Sequence, residues 1–204
     1  LAQIPPQGVG LEIGPGVEPT LTGDVVRYCD VQDKAGLVAR AASDGYPTER
    51  CPDIHYVSPL GDLSVVTDQF DYVFSSHCIE HQPDLVRHLQ GVARLLDPNG
   101  RYYIIIPDKR YCFAALLPES TLDEVLVAHA EGRTVHTIAN IYNHYALTTH
   151  NDILRHWCGD SQDPRLDVRH AREMEAAQAI VNANGGYIDV HAWQFTPSSP
   201  SYSR

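Results

Sequence analysis

From Val9 to Ile13 apolar residues (Val9, Leu11, Ile13) alternate with small or polar ones, a period of two that predicts a strand. It runs into the turn Gly14-Pro15-Gly16. A second strand is predicted over residues 25–29, ending at Asp30, and an alanine-rich helix over 33–43. Gly45, Pro47 and Cys51-Pro52 mark a loop. Residues 54–57 read as a short third strand, and 69–77 as a fourth strand with its exit. Pro83 is placed to open a helix at its first position, where a missing N–H costs nothing. Leu85, Leu89, Val92 and Leu96, flanked by Val86 and Ala93, give that helix an apolar stripe. Asp97-Pro98-Asn99-Gly100 is a turn signal. Residues 102–106 form a continuous apolar run, expected to be a strand buried on both faces of a parallel sheet and closed by Pro107.

After residue 110 the pattern becomes helical. Thr121-Leu122-Asp123-Glu124 is a capping box opening a helix whose apolar residues are Leu122, Val125, Leu126 and Ala130. Asp163-Pro164 opens a longer helix to Asn184, ended by Gly185-Gly186. In a last strand over 187–195, Asp189, His191 and Trp193 share one face, which lines a pocket or is solvated; Ile188, Val190 and Ala192 share the other. Strands alternating with helices predict an α/β fold, a Rossmann-like doubly wound and mostly parallel sheet. The expected organisation is a single domain, 1–204, with 111–186 as a helical, substrate-side region.

The chain has 204 residues and a net charge of -11, which argues against a partner rich in backbone phosphate. The expected partner is a small molecule or neutral substrate, not nucleic acid and not a membrane; the oligomeric state is not assigned. Cys29, Cys51, Cys78, Cys112 and Cys158 are odd in number and form no C-x-x-C pair, which suits reduced thiols in the cytoplasm. No apolar run approaches a membrane span and no signal peptide is present in the sequence.

The candidate chemistry begins at the glycine turn. Glycine is required where the backbone takes positive φ or approaches a ligand. The dinucleotide fingerprint is incomplete, because Pro19 stands where a third glycine would fall, and the gap before Val25 leaves room for a helix of about one turn. A ligand without a pyrophosphate fits better. Glu12 suits a cationic group of such a ligand. Asp30, ending the second strand, reads as the partner of a ribose diol or as a helix N-cap. His77-Cys78-Ile79-Glu80-His81 spells the inverted zincin motif, which needs both histidines on one helical face. Here it spans a strand-to-helix crossover, so zinc hydrolysis is an alternative and the reading assigns no metal. His77 and His81 act on the ligand side or satisfy loop backbone. His129, His136, His144, His150 and His156 lie among Tyr142, Tyr145 and Trp157; such residues serve a sugar site and general-base work, or simply packing.

In order, Leu-Glu-Ile-Gly-Pro-Gly, Asp30, Phe-Asp-Tyr-Val-Phe-Ser-Ser-His-Cys-Ile-Glu-His and Leu-Leu-Asp-Pro-Asn-Gly-Arg resemble the class I S-adenosylmethionine-dependent methyltransferases. Ile-Pro-Asp-Lys-Arg-Tyr-Cys-Phe and Asp-Val-His-Ala-Trp-Gln-Phe-Thr-Pro resemble a subgroup often found with glycosyltransferases. The resemblance covers about residues 8–113 and 187–197. It implies S-adenosyl-L-methionine as cofactor and methyl transfer to a small polar acceptor, a saccharide hydroxyl first. Glu12, Gly14, Pro15 and Gly16 would face the methionine part of the cofactor. Asp30 would take the ribose, Asp62 the adenine amine, and Ser76 and His77 the cofactor or substrate. Asp108, His77 and His144, in that order, are candidates for a base. The subgroup carries an acid where this chain has Ala114, and its fold ends in a sixth and an antiparallel seventh strand, of which 187–195 can supply one. A binding subunit that keeps the fold without catalysis is the other alternative.

Overall fold

A computed structural model describes residues 4, 8–162 and 168–197. The described residues fall into two compact units, within Leu1–Ile79 with Asp84–Ile105 and within Glu80–Pro83 with Ile106–Arg204.

The first unit is a five-stranded, all-parallel sheet of order β3-β2-β1-β4-β5. Its strands are β1 (Gly10–Ile13), β2 (Val26–Asp30), β3 (Tyr56–Val57), β4 (Phe70–Ser76) and β5 (Leu96–Ile105). The helices α1 (Lys34–Ser43) and α2 (Leu85–Leu95) lie between them in the chain. This is the expected Rossmann-like doubly wound architecture. Leu11, Ile13, Cys29, Leu63, Val66, Phe70, Val73, Val92 and Leu95 form its apolar core. On the opposite face of β1, Gly10 is obligatory: a Cβ there would lie 2.2 Å from the ring of Tyr72, its register partner on β4.

Several local expectations change. No helix forms between β1 and β2; residues 14–25 are turns and loop. α1 is capped by Asp33, whose carboxylate accepts from the Gly36 N–H, so Asp30 is not the cap. α2 is capped by Asp84, not begun by Pro83, because the Asp84 carboxylate accepts from the Arg87 amide. The buried stripe of α2 is Leu85, His88, Val92 and Leu95, while Leu89 is exposed. α2 ends at Leu95, just before Asp97-Pro98-Asn99-Gly100, but those residues are not a free turn. They bulge inside β5, between the Phe70↔Leu96 and Tyr72↔Arg101 pairs. β5 is an edge strand, so its isoleucines are not buried on both faces: Ile104 is 37% and Ile105 40% exposed.

The second unit carries α3 (Leu122–Ala130), α4 (Ile138–Ala146), α5 (Ile153–Trp157) and α6 (Arg169–Ala183). The capping box opens α3 as read, with Thr121 and Glu124 bonded reciprocally. Its buried residue is Ala128, however, while Leu122, Leu126 and Ala130 lie exposed. α4 and α6 pack together through polar bridges. The Tyr142 hydroxyl donates to Glu173, and just beyond the end of α4 the Thr148 hydroxyl accepts from the Arg172 guanidinium. α6 ends at Asn184 in the left-handed conformation, followed by Gly185; Asp163-Pro164 lies outside the described residues. Residues 187–195 form no regular strand. Phe195 makes one parallel bridge to Asp108, and Val190, Ala192 and Trp193 are all buried, so neither face is solvated as a whole. Among the described residues no sixth or seventh sheet strand forms.

Candidate functional site

β1 pairs with β2 on one side and β4 on the other, so the sheet reverses its winding there. Doubly wound sheets bind ligands outside the carboxyl ends of their strands at this point. Gly14 and Gly16 leave β1 with φ of +70° and +55°, a region that side-chain-bearing residues avoid. The Gly14 amide donates to the Cys29 carbonyl on β2, and a Cβ on Gly14 would sit 3.4 Å from the Cys78 sulfur beyond β4. A Cβ on Gly16 meets nothing within 4 Å. The turn is thus clamped at its first glycine and open at its second.

Asp30 is buried at the end of β2. One carboxylate oxygen accepts the Gly16 amide at 3.1 Å and the other the Val31 amide at 2.7 Å. Burial raises its pKa, and these amides partly oppose that. Asp30 therefore ties β2 to the open end of the glycine turn. Glu12 is 2% exposed, and its carboxylate accepts the amides of Thr20 and Leu21 at 2.9 and 2.8 Å. Burial again raises its pKa against those bonds. Glu12 thereby holds the loop that replaces a first helix. Beyond β3, the Ser58 amide donates to the Asp30 carbonyl and Gly61 lies beside Val31. Asp62 follows on the same side, exposed, accepting from Ser58 and Ser64. At the exit of β4, His77 is exposed with φ +52°, and its Nδ1 lies 2.9 Å from the Ser76 hydroxyl. Such a backbone is costly for a β-carbon-bearing residue and is found where a site sets the geometry. Pro15 sits between the two glycines. The residues read as cofactor-facing therefore gather around the carboxyl ends of adjacent strands of the first unit.

Residues 11–104 match the family model described as a methyltransferase domain, and the glycine turn, Asp30, Asp62 and the β4 exit all fall inside the match. This stretch is similar to the methyltransferase domains. A search of curated proteins finds no match to the chain.

The other candidate residues lie in the second unit, outside the matched stretch. Asp108 starts the turn Lys109–Tyr111 and is gripped by Arg110, whose Nε lies 2.9 and 3.1 Å from its two oxygens. That guanidinium holds the Asp108 carboxyl below the usual carboxylate range. His144 on α4 accepts the His191 amide at Nδ1, 3.3 Å away, and burial lowers its pKa to about 4, leaving it neutral at pH 7. His150 and His156 stack on one another at 4.1 Å and bond backbone and Ser161, which is packing. Ala114 is buried.

Two histidines carry more than the sequence suggested. His88 lies in the core stripe of α2, with Nε2 at 3.0 Å from the Tyr102 hydroxyl, which lies 2.7 Å from Ser75. Desolvation lowers its pKa to about 4. Its position on the helix period, four residues before Val92, was the available signal. His191 was read only as one residue of a strand face. It joins Glu80 and His81 in a group with metal-ligand spacing. The zincin pentapeptide itself is no helix: His77 is left-handed and Ile79–His81 is one 3-10 turn.

Proposed function

We propose that this protein moves the methyl group of S-adenosyl-L-methionine onto a hydroxyl of a small polar acceptor, a saccharide first. The observation that carries the cofactor reading is the pair of left-handed glycines after β1 whose second amide is held by the buried Asp30 carboxylate. That arrangement presents backbone without side chains beside an acid suited to two ribose hydroxyls. The saccharide rests on the subgroup resemblance around Asp108 and His191. Methyl transfer is an in-line displacement: the acceptor oxygen bonds the methyl carbon, and the C–S bond breaks with its electrons left on sulfur. Positioning supplies much of the rate, and the acceptor proton passes to a base. Asp108 is a weak base while Arg110 grips it. His77, exposed at the β4 exit, takes the role ahead of Asp108 and His144. The partner is a small molecule rather than nucleic acid or membrane. No described helix is long and apolar enough to cross a membrane. None of the five cysteines is in a disulfide, which suits the cytoplasm.

Calorimetry with S-adenosylhomocysteine tests this reading. The intact chain binds it. Gly16→Val abolishes binding, because the variant strains a φ of +55° and puts a branched side chain into the open end of the turn. Asp30→Ala weakens binding by about 1.5–3 kcal/mol, the range for hydrogen bonds to a charged group. Unchanged affinity in both variants, with circular dichroism showing them folded, sinks the assignment. Binding without turnover on any saccharide would favour the binding-subunit reading, to which Ala114 in place of an acid already points.

A further inference from the structure

Within the second unit, Glu80 and His81 meet His191, more than a hundred residues later in the chain. The meeting is made by bonds to the backbone carbonyls of residues 80–82. The Glu80 carbonyl accepts the amides of Ala192 and Trp193 at 2.7 and 3.2 Å. The Trp193 indole donates to the Gln82 carbonyl at 2.6 Å, and the Tyr187 hydroxyl to the His81 carbonyl at 3.2 Å. These bonds fix the segment around His191 against residues 80–82 without using the side chains of Glu80, His81 or His191.

Within that frame, Nε2 of His81 and Nε2 of His191 each lie 3.8 Å from the same oxygen, Oε1 of Glu80. All three donor atoms lie within 4.8 Å of one another. The 3.8 Å spacing is too long for hydrogen bonds, which fall at about 2.7–3.2 Å. It is close to what a shared ion needs: three ligands about 2.1 Å from one cation at tetrahedral angles stand about 3.4 Å apart. Glu80 is fully buried, and buried carboxylates persist when matched by positive charge. The other ring nitrogen of His81 lies 2.8 Å from Oδ1 of Asp189. A carboxylate behind a ligating imidazole orients the ring and raises its basicity. Phe113 packs on the His191 ring with centroids 4.5 Å apart, and the two imidazoles meet edge to face at 4.5 Å.

We propose that Glu80, His81 and His191 bind one divalent first-row transition ion, zinc or iron(II) in character, with Asp189 supporting His81. Two imidazoles and one carboxylate select such ions over magnesium or calcium, which prefer all-oxygen sets. Three protein ligands leave further positions open to water or to an oxygen of a bound molecule. The sequence motif named the wrong pair: His77 is not a ligand, and His191, which no local spacing reveals, is. The site stands whether or not the methyl-transfer reading does.

The full chain, stripped with chelator and dialysed, is titrated with zinc chloride in a calorimeter, and its metal content is read by mass spectrometry. The expected result is one zinc per chain, with no comparable binding of magnesium. His191→Ala and the near-isosteric Glu80→Gln abolish stoichiometric binding. Asp189→Asn weakens it by about 10–100-fold, as for other supporting carboxylates. His77→Ala leaves it unchanged. The cobalt(II) form of the intact chain should show two metal-shifted imidazole N–H signals by NMR, a readout that needs no variant to fold. No stoichiometric zinc, zinc retained in Glu80→Gln and His191→Ala, or zinc lost in His77→Ala would each overturn the site.

Discussion

Phe70, Leu95, Val73 and Leu11 meet in the interior of the first unit with almost no exposure, and the polar groups buried with them sit at strand ends or on one helix face. In the second unit, Glu80, His136, Thr149, His156 and Arg172 share the interior with Leu117, Ile141, Val190, Trp193 and several alanines, while Leu122, Leu154 and Trp157 face outward. The first interior is held by non-directional burial, which any correctly periodic sequence can supply. The second adds directed bonds to its apolar burial, such as Arg172 to Thr148 and His156 to Ser161, each requiring a partner at the right distance and angle. Apolar periodicity therefore describes one unit well and the other poorly.

The sharpest way to break this comparison is to truncate the apolar core. Phe70→Ala should cost about 3–5 kcal/mol, as removal of a fully buried aromatic side chain does. Denaturant unfolding monitored by circular dichroism reads it. A loss below about 1 kcal/mol would mean that the sheet core does not carry the first unit.

A slightly smaller effect concerns His88, the polar residue inside that core. Its folded pKa is about 4 and its unfolded value about 6.5. The native state therefore binds fewer protons than the unfolded chain between those values. Stability from this group is complete above pH 6.5, falls as pH drops towards 4, and is level below. The total is about 3 kcal/mol. His136 and His144, also near 4, add in the same direction. His88→Gln, which keeps a donor for Tyr102, should flatten part of the loss between pH 6.5 and 4. An imidazole that titrates by NMR near 6.5 in the folded protein contradicts the burial argument.

The smallest effect tests the directed bonds of the second unit. Thr121 accepts the Glu124 amide, and Glu124 returns a bond to the Thr121 amide. Thr121→Ala should cost about 1 kcal/mol. No measurable change in the midpoint of unfolding would mean that α3 is held by its packing alone.

Much of the fold was legible before any coordinates. The glycine turn, the end of β2 at Asp30, α1 and the capping box all depend on neighbours close in sequence, and short-range chemistry is written there. The strand-end positions of Gly14, Gly16 and Asp30 were legible for the same reason: an acid or glycine at a strand's end is visible once the strand is. What failed was of another kind. The stripe of α2 was drawn through Leu89 because a leucine was expected inward, whereas His88 takes that place by bonding Tyr102 from β5. β5 was read as central because its apolar run matches a buried strand, yet strand order makes it an edge.

The sequence by itself determined the alternation of strands and helices, the glycine turn after β1 and the acid that ends β2, since period, φ preference and strand-end chemistry act over a few residues. Only the tertiary structure decided that Asp33 and not Asp30 caps α1, that Ile104 and Ile105 are partly open to solvent, and that Glu80 and His81 face His191. Those outcomes depend on which distant segments share hydrogen bonds. The bonds from Ala192 and Trp193 to the Glu80 carbonyl span most of the second unit's sequence, and no local pattern records a partner that far away.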